Sequence, residues 1–317
     1  MGAFAYIVDA QGVREVAAEE ALSAKCAFAW IHVHGRSAET ESWLVDRAHL
    51  DPLIADALIA TETRPRAEVS ATTMLINMRG RSSEELRASD PLASLRLWAE
   101  QGRVISAARL PLVVLPEVRR EMEAGEIRDP GDLIAALAGA ITTDLDPEVG
   151  ALGDGLDDCE EKIDGARSVE LRRDVAKTRA QAIGYRRFVA PQQRALERVA
   201  EADLPWLDDS DRRHLRAAAD RAARMTEELE SIRERAALIH ETLTDLRAET
   251  IDGRSLVIAI VAMVFLPLTF ITGLFGMNVD GIPYAHHPYS FWVITGFCLL
   301  VSLSVAGWFV RERWFRN

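Results

Sequence analysis

LVIAIVAMVFLPLTFITGLF (256–275) and FWVITGFCLLVSLSVAGWFV (291–310) decide the architecture of this 317-residue chain. Each run is twenty residues without a charged side chain. At 1.5 Å per residue, a helix of that length is about 30 Å, the thickness of a bilayer core. The pair predicts a transmembrane hairpin with spans at 256–275 and 291–310 and a loop at 276–290. It sits behind a large charged body.

Charge orients the hairpin. Arg311, Arg313 and Arg316 follow the second run directly, whereas 276–290 holds no Lys or Arg. Positive charge stays inside, which puts the C-terminus in the cytoplasm and the loop outside. Two spans return the chain to its starting side, so the body is expected in the cytoplasm as well. Tyr284, Tyr289 and Trp292 suit the outer membrane–water interface, and Trp308 and Trp314 the inner one. Membrane lipid is therefore an expected partner.

The net charge is −12. Residues 251–317 carry four arginines against three acids, so the excess of acid lies in the body before them. An acidic body excludes nucleic acid as a partner, because phosphates need a basic footprint. It suits a protein that gathers cations. Cys26, Cys159 and Cys298 are far apart and form no Cys-x-x-Cys, which argues against a disulfide framework or a structural zinc site. The first nine residues lack the basic and long apolar stretches of a signal peptide. There is no P-loop, HExxH, nucleophilic triad or Gly-rich dinucleotide turn. No enzyme and no resident cofactor are expected.

Residues 1–150 are predicted to form a mixed α/β domain. Strand-like runs lie at 4–8, 26–33, 69–78, 95–99 and 103–107, the last two flanking the hairpin signal Gln101-Gly102. Helical periodicity covers 42–60, interrupted at Pro52, then 116–124 and 132–145. Residues 151–253 change to long charged helices, a stalk, and 254–317 form the hairpin. One stalk helix is expected over 156–189, stopped at Pro191. After the turn Leu204-Pro205-Trp206, the residues Asp208, Asp209 and Ser210 are candidate N-caps. The next helix is predicted to run unbroken from about Ser210 to Phe275, roughly 100 Å.

Two stripes mark this helix. Leu215, Ala218, Ala222, Met225, Leu229, Ile232, Ala236, Ile239, Leu243 and Leu246 alternate steps of three and four, a coiled-coil seam. It suits an antiparallel pairing inside the chain and contact between subunits near the membrane. The second stripe runs Glu241, Asp245, Ala248, Asp252, Ser255, Ala259, Ala262, Leu266, Thr269, Gly273, Gly276. It is acidic before the membrane and mostly small or hydroxylated within it. Such a stripe serves close helix packing, with hydroxyls bonded back to their own helix, or the lining of a pore. A strict 3.5-residue repeat drifts about 20° per heptad on a straight helix, so the two ends need not face one way. Two spans cannot enclose a watery path, so a pore requires several copies.

Gly276-Met277-Asn278 ends the first span. The Asn278 amide carbonyl accepts hydrogen bonds from the water shell of an ion. A ring of such carbonyls would hold a divalent cation without stripping that shell. With this motif in this place, after a long acidic helix, the chain resembles the CorA family of divalent-cation transporters. Leu171-Arg172-Arg173, Tyr185-Arg186-Arg187 and Ala190-Pro191-Gln192-Gln193-Arg194 are similar to that family's cytoplasmic helices. Val279-Asp280-Gly281-Ile282-Pro283 is closer to its zinc-transporting ZntB branch, although Asp280 stands where that branch usually has Gly.

The resemblance implies a homopentamer in a bacterial inner membrane, with both termini cytoplasmic. It implies a funnel made of the α/β domain and helical stalk, with a transmembrane hairpin from each subunit. The selectivity loop would be Gly276, Met277 and Asn278. By position, the pore would be lined by Ser255, Ile258, Ala262, Leu266, Thr269 and Gly273. Glu241, Asp245 and Asp252 would form an acidic cytoplasmic vestibule. The expected function is transport of divalent cations, zinc first among them. A magnesium or cobalt channel of the same family is the nearest alternative, and a membrane-anchored metal sensor or scaffold the alternative of another class. His286, His287 and His240 are further candidate zinc ligands, each also explained by an exposed position. His32 and His34 share one face of a strand, where packing is the simpler role.

Overall fold

A computed structural model of the chain describes residues 2–35, 38–61, 64–84, 92–163, 168–277 and 287–314. The chain divides into two compact units, Met1–Glu241 and Thr242–Asn317.

The first unit is built on a seven-stranded sheet, in the order β2-β1-β3-β7-β6-β5-β4. The strands are β1 (Gly2–Asp9), β2 (Gly12–Val16), β3 (Phe28–His34), β4 (Arg66–Val69), β5 (Met74–Gly80), β6 (Ala93–Glu100) and β7 (Arg103–Ala108). Among the described strands, only β3 and β7 pair in parallel. Side chains alternate between the faces with period two. Ala5, Ile7, Ile31, Val33, Ile105 and Ala107 point to one face. There they pack with α1 (Ala18–Ser23), the π-helical turn Trp43–Arg47 and α3 (Pro52–Ile59). α2 (Ala38–Ser42) leads into that turn. Tyr6, on the other face, donates to Glu123 of α4 (Leu115–Glu123) at 2.7 Å. The result is a three-layer sandwich.

The Gln101-Gly102 hairpin forms as expected, with Glu100 paired to Arg103 and Gly102 at φ +77°. The run 69–78 is not one strand. It breaks into β4 and β5 around a turn in which Ser70 N–H donates to Thr73 O. β2 escapes the sequence because Gly-Val-Arg-Glu-Val is an edge strand with no buried residue. Pro52 begins α3 rather than interrupting a helix, and Asp51 caps it through Leu53 N–H.

The stop expected at Pro191 is absent, and another proline is also carried inside a helix. α5 (Pro130–Glu161) passes through Pro147, and α6 (Ser168–Ala200) passes through Pro191. Pro147 lies on the exposed side of α5, where water can take the freed carbonyl, while Leu145 and Val149 hold the helix by its buried side. Around Pro191 the same hold comes from Phe188, Val189, Ala195 and Leu196. Gln192 next to it is buried and accepts the Arg79 N–H of β5 at 2.7 Å. The helix expected at 156–189 is therefore the end of α5 and most of α6, with the chain leaving the helix at Lys162.

α7 (Asp209–Phe275) is one helix of 67 residues, unbroken by Gly253 or Pro267. Of the three candidate caps, Asp208 starts it. Asp208 N–H donates to Asp211 Oδ2, and Asp211 N–H to Asp208 Oδ1, a reciprocal capping box. Nine of the ten seam residues are buried within the chain, Leu215 through Leu243, and Leu246 is 39% exposed. Arg235 pairs with Asp157 and Glu160 of α5, and Glu230 with Arg186 of α6. The first part of α7 thus packs on both stalk helices. α8 (Ser290–Trp314) completes the second unit.

His32 is a packing residue. It is buried, stacked on Phe4 at 4.8 Å, and bonded through Nδ1 to Ser106 Oγ at 2.8 Å. Trp30 Nε1 donates to that same oxygen, which ties both rings to one buried hydroxyl. Burial pushes the imidazole down to about 3, which keeps it neutral. His34 is exposed.

Candidate cation path

The C-terminal third of α7 contains a stretch long and apolar enough to cross a membrane, and none of it is buried in the chain. α8, at 25 residues, is about 37 Å long. Partial cover in this unit follows one stripe on each helix. On α7 it falls on Ile260, Val264, Leu268 and Ile271, spaced four, four and three. On α8 it falls on Ser290, Ile294, Thr295, Cys298, Val301, Ser302 and Val305 among the described residues.

The residues carried over as pore lining occupy the other side of α7. At about 100° per residue, Ser255, Ile258, Ala262, Leu266, Thr269 and Gly273 cluster in one narrow sector, nearly opposite the covered stripe. All six are exposed, Ile258 by 69% and Leu266 by 75%. A Cβ built on Gly273 meets nothing within 4 Å. Within one chain this face is not packed against α8, so close helix packing along it would have to be with another copy. Backbone-directed hydroxyls do occur, but at Thr272, bonded to Leu268 O, and at Thr295 and Ser302 of α8.

Glu241, Asp245 and Asp252 are exposed. Glu249, which the stripe reading passed over, belongs beside them. Asp245, Glu249 and Asp252 recur at i, i+4 and i+7 and share a face, with Arg247 and Arg254 on the other side. The strict 3.5-residue template excluded Glu249. A 3.6-residue helix includes it.

Gly276 follows the last helical residue. Its N–H donates to Thr272 O at 2.9 Å, and a Cβ there would lie 3.0 Å from that oxygen. Backbone cannot retreat as a flexible side chain can, so glycine suits this helix end. Met277 is 52% exposed. Asn278 and His286 lie outside the described residues. His287 is exposed, with its ring 5.9 Å from Tyr289 and its carbonyl accepting Ser290 N–H at the start of α8. His240 is exposed on α7. The structure does not gather His240 and His287 into any metal-ligating group of three among the described residues. The group it does gather is Asp129, Asp132 and Asp211, where the N-termini of α5 and α7 meet. Each of these carboxylates is engaged with backbone N–H groups or sits within a cap.

A three-layer α/β unit, one helix continuing from it into an apolar stretch, and a second apolar helix after the sequence Gly276-Met277-Asn278 describe the architecture of a membrane protein. The chain belongs to the family of CorA-like Mg2+ transporter proteins, which it matches over residues 26–311. It is 27% identical over 312 residues to the zinc transport protein ZntB of Yersinia pseudotuberculosis, covering 98% of this chain and 95% of that one. It is 31% identical over 291 residues to the divalent cation transporter CmaX of Pseudomonas aeruginosa, covering 90% and 87%. The solved structure of the full-length CmaX protein superposes with a TM-score of 0.81 at 28% identity, over 98% of this chain and 97% of that one. Members of this family are transporters, not enzymes.

Proposed function

We propose that this chain is one subunit of a homo-oligomeric, pentameric path that carries divalent cations, zinc foremost, across the inner membrane. The observation that carries the reading is the uncovered stripe Ser255–Ile258–Ala262–Leu266–Thr269–Gly273, opposite the partly covered stripe of the same apolar stretch. An anchor needs no small and hydroxylated stripe, and a sensor or scaffold gains nothing from it. Copies arranged about an axis would turn these stripes inward.

Asn278 recruits the hydrated ion at the outer mouth through its amide carbonyl. Leu266 and Ile258 form apolar constrictions that control wetting, and Thr269 gives a polar step just outside Leu266. Asp245, Glu249 and Asp252, with Glu241 one turn earlier, make the cytoplasmic mouth attractive to cations. Zinc is preferred over magnesium because several relatives are named as zinc transport proteins and the loop continues Val279-Asp280-Gly281-Ile282-Pro283. Magnesium is the second reading, favoured by the family's description.

Purified protein in liposomes loaded with zinc- and magnesium-sensing dyes tests this. We expect zinc entry that Asn278→Ala reduces at least tenfold, with little magnesium entry. Dominant magnesium entry would select the second reading. Entry of neither ion into vesicles holding folded oligomer would refute transport.

A further inference from the structure

Beside α4, helices α5 and α7 of the first unit leave a groove with a cavity of about 610 Å3. Its floor is made of very small residues, Ala136, Gly139 and Ala140 of α5 and Ala217 of α7. Its wall is acidic, with Glu117 and Glu121 of α4 and Glu126 just after it. None of these three carboxylates has an ion-pair partner among the described residues. Arg221, which also lines the groove, donates instead to Thr142 Oγ1 at 3.1 Å. Burial, with Glu117 and Glu126 close by, pushes the Glu121 carboxyl up. A cation brought into the groove relieves that accumulation of charge.

The complement is on α6 of the same unit. Ala176, Ala180, Ile183 and Arg187 recur at i, i+4, i+7 and i+11 and share a face. Arg173, Lys177, Arg194 and Arg198 fall on or beside it, and all eight side chains are exposed. None of the five cations pairs with a carboxylate among the described residues. In their midst Ile183 leaves 48% of its surface to solvent. An apolar residue ringed by arginine and lysine that have no carboxylate partner among the described residues is the anatomy of a contact centre with a charged rim.

We infer that the groove of one copy receives the α6 ridge of a second copy of this chain, with Ile183 on the alanine–glycine floor and the ridge cations against Glu117, Glu121 and Glu126. This rests on the homo-oligomeric reading above and says which surfaces build it. Two different patches of one chain meeting head to tail make a heterologous contact, the kind that closes into a ring. The charges set partner and orientation, and the small floor sets how closely the ridge approaches.

Cross-linking tests it on the full-length chain in detergent micelles. The three native cysteines are first replaced by serine. One tagged chain then carries Gly139→Cys and a differently tagged chain carries Ile183→Cys, and the two are co-expressed and oxidised. A Cβ at Gly139 meets nothing within 4 Å, and position 183 is half-exposed, so both cysteines are tolerated. Ala136→Cys with Ala180→Cys is a second pair. We expect a mixed-tag dimer on a denaturing gel. Arg187→Glu should lower its yield about tenfold, and Glu121→Arg on the other chain should restore it. An oligomer by light scattering that neither pair cross-links would overturn this interface while leaving the transport reading intact. A monomer by light scattering would overturn the oligomeric reading itself.

Discussion

The two parts of α7 make opposite use of one helix. Over its first thirty-odd residues, the apolar seam from Leu215 to Ile239 is buried within the chain, against the unit that holds the sheet and the paired helices α5 and α6. From Ser255 onward, the stripe of mostly small and hydroxylated residues is left exposed by its own chain. Burial stabilises the first part, at about 2 kcal/mol for each large side chain. The second part gains little of that kind within a subunit, and the function proposed above assigns its faces to lipid and to copies of itself around a watery path.

Substitutions that mirror each other sharpen this contrast most. Leu229→Ala leaves a cavity at a fully buried position and should cost about 3 kcal/mol, seen as a lower midpoint in a thermal denaturation of the detergent-solubilised protein. Leu266→Ala, at a position 75% exposed, should leave that midpoint unchanged and raise ion leak instead. Equal thermal losses would erase the distinction.

A smaller effect is expected at the base of α7. Asp211 is buried against Gly131, where any Cβ would collide with its carboxylate. Burial, reinforced by Asp129 and only partly offset by the Asp208 N–H, pushes Asp211 up to about 7. A carboxyl raised on folding binds its proton more tightly in the native state. The stability it contributes is full below about pH 4 and is lost as pH rises to 7. Asp211→Asn keeps an oxygen for the Asp208 N–H and removes the charge. It should stabilise the protein by on the order of 2 kcal/mol at pH 8 and by little near pH 4, so a midpoint gain equal at both pH values would refute the cause. The smallest effect is expected at Arg235, which bridges Asp157 and Glu160 at the exposed edge of the helix contact. Arg235→Ala should cost about 1 kcal/mol or less, and less still in high salt.

The same contrast explains what could be read from the sequence. The seam of α7 was legible because burial imposes a strict period, and nine of its ten positions are buried. The length of α7 was legible because Gly253 only weakens a helix and Pro267 falls within an apolar span, where helices tolerate proline. The course of α5 and α6 was not, since Pro147 and Pro191 are local stop signals that the packing of Leu145, Val149, Phe188 and Leu196 overrides. β2 was hidden because an edge strand with no buried face leaves no alternation to find. Along the candidate path, the stripe showed in the sequence as small and hydroxylated residues at helical spacing. Glu249 was missed for a geometrical reason, the wrong period. The acidic groove could not be read at all, because it joins α4, α5 and α7 across about a hundred residues.

The most direct measurement compares two sides of one turn of α7. In a cysteine-free background, Thr269→Cys lies on the uncovered stripe and Ile271→Cys on the covered one. Both are treated with a water-soluble thiol reagent in vesicles during zinc uptake. The account predicts rapid modification of Thr269→Cys with block of uptake, and neither at Ile271→Cys. Modification and block at Ile271→Cys, with Thr269→Cys untouched, would contradict it.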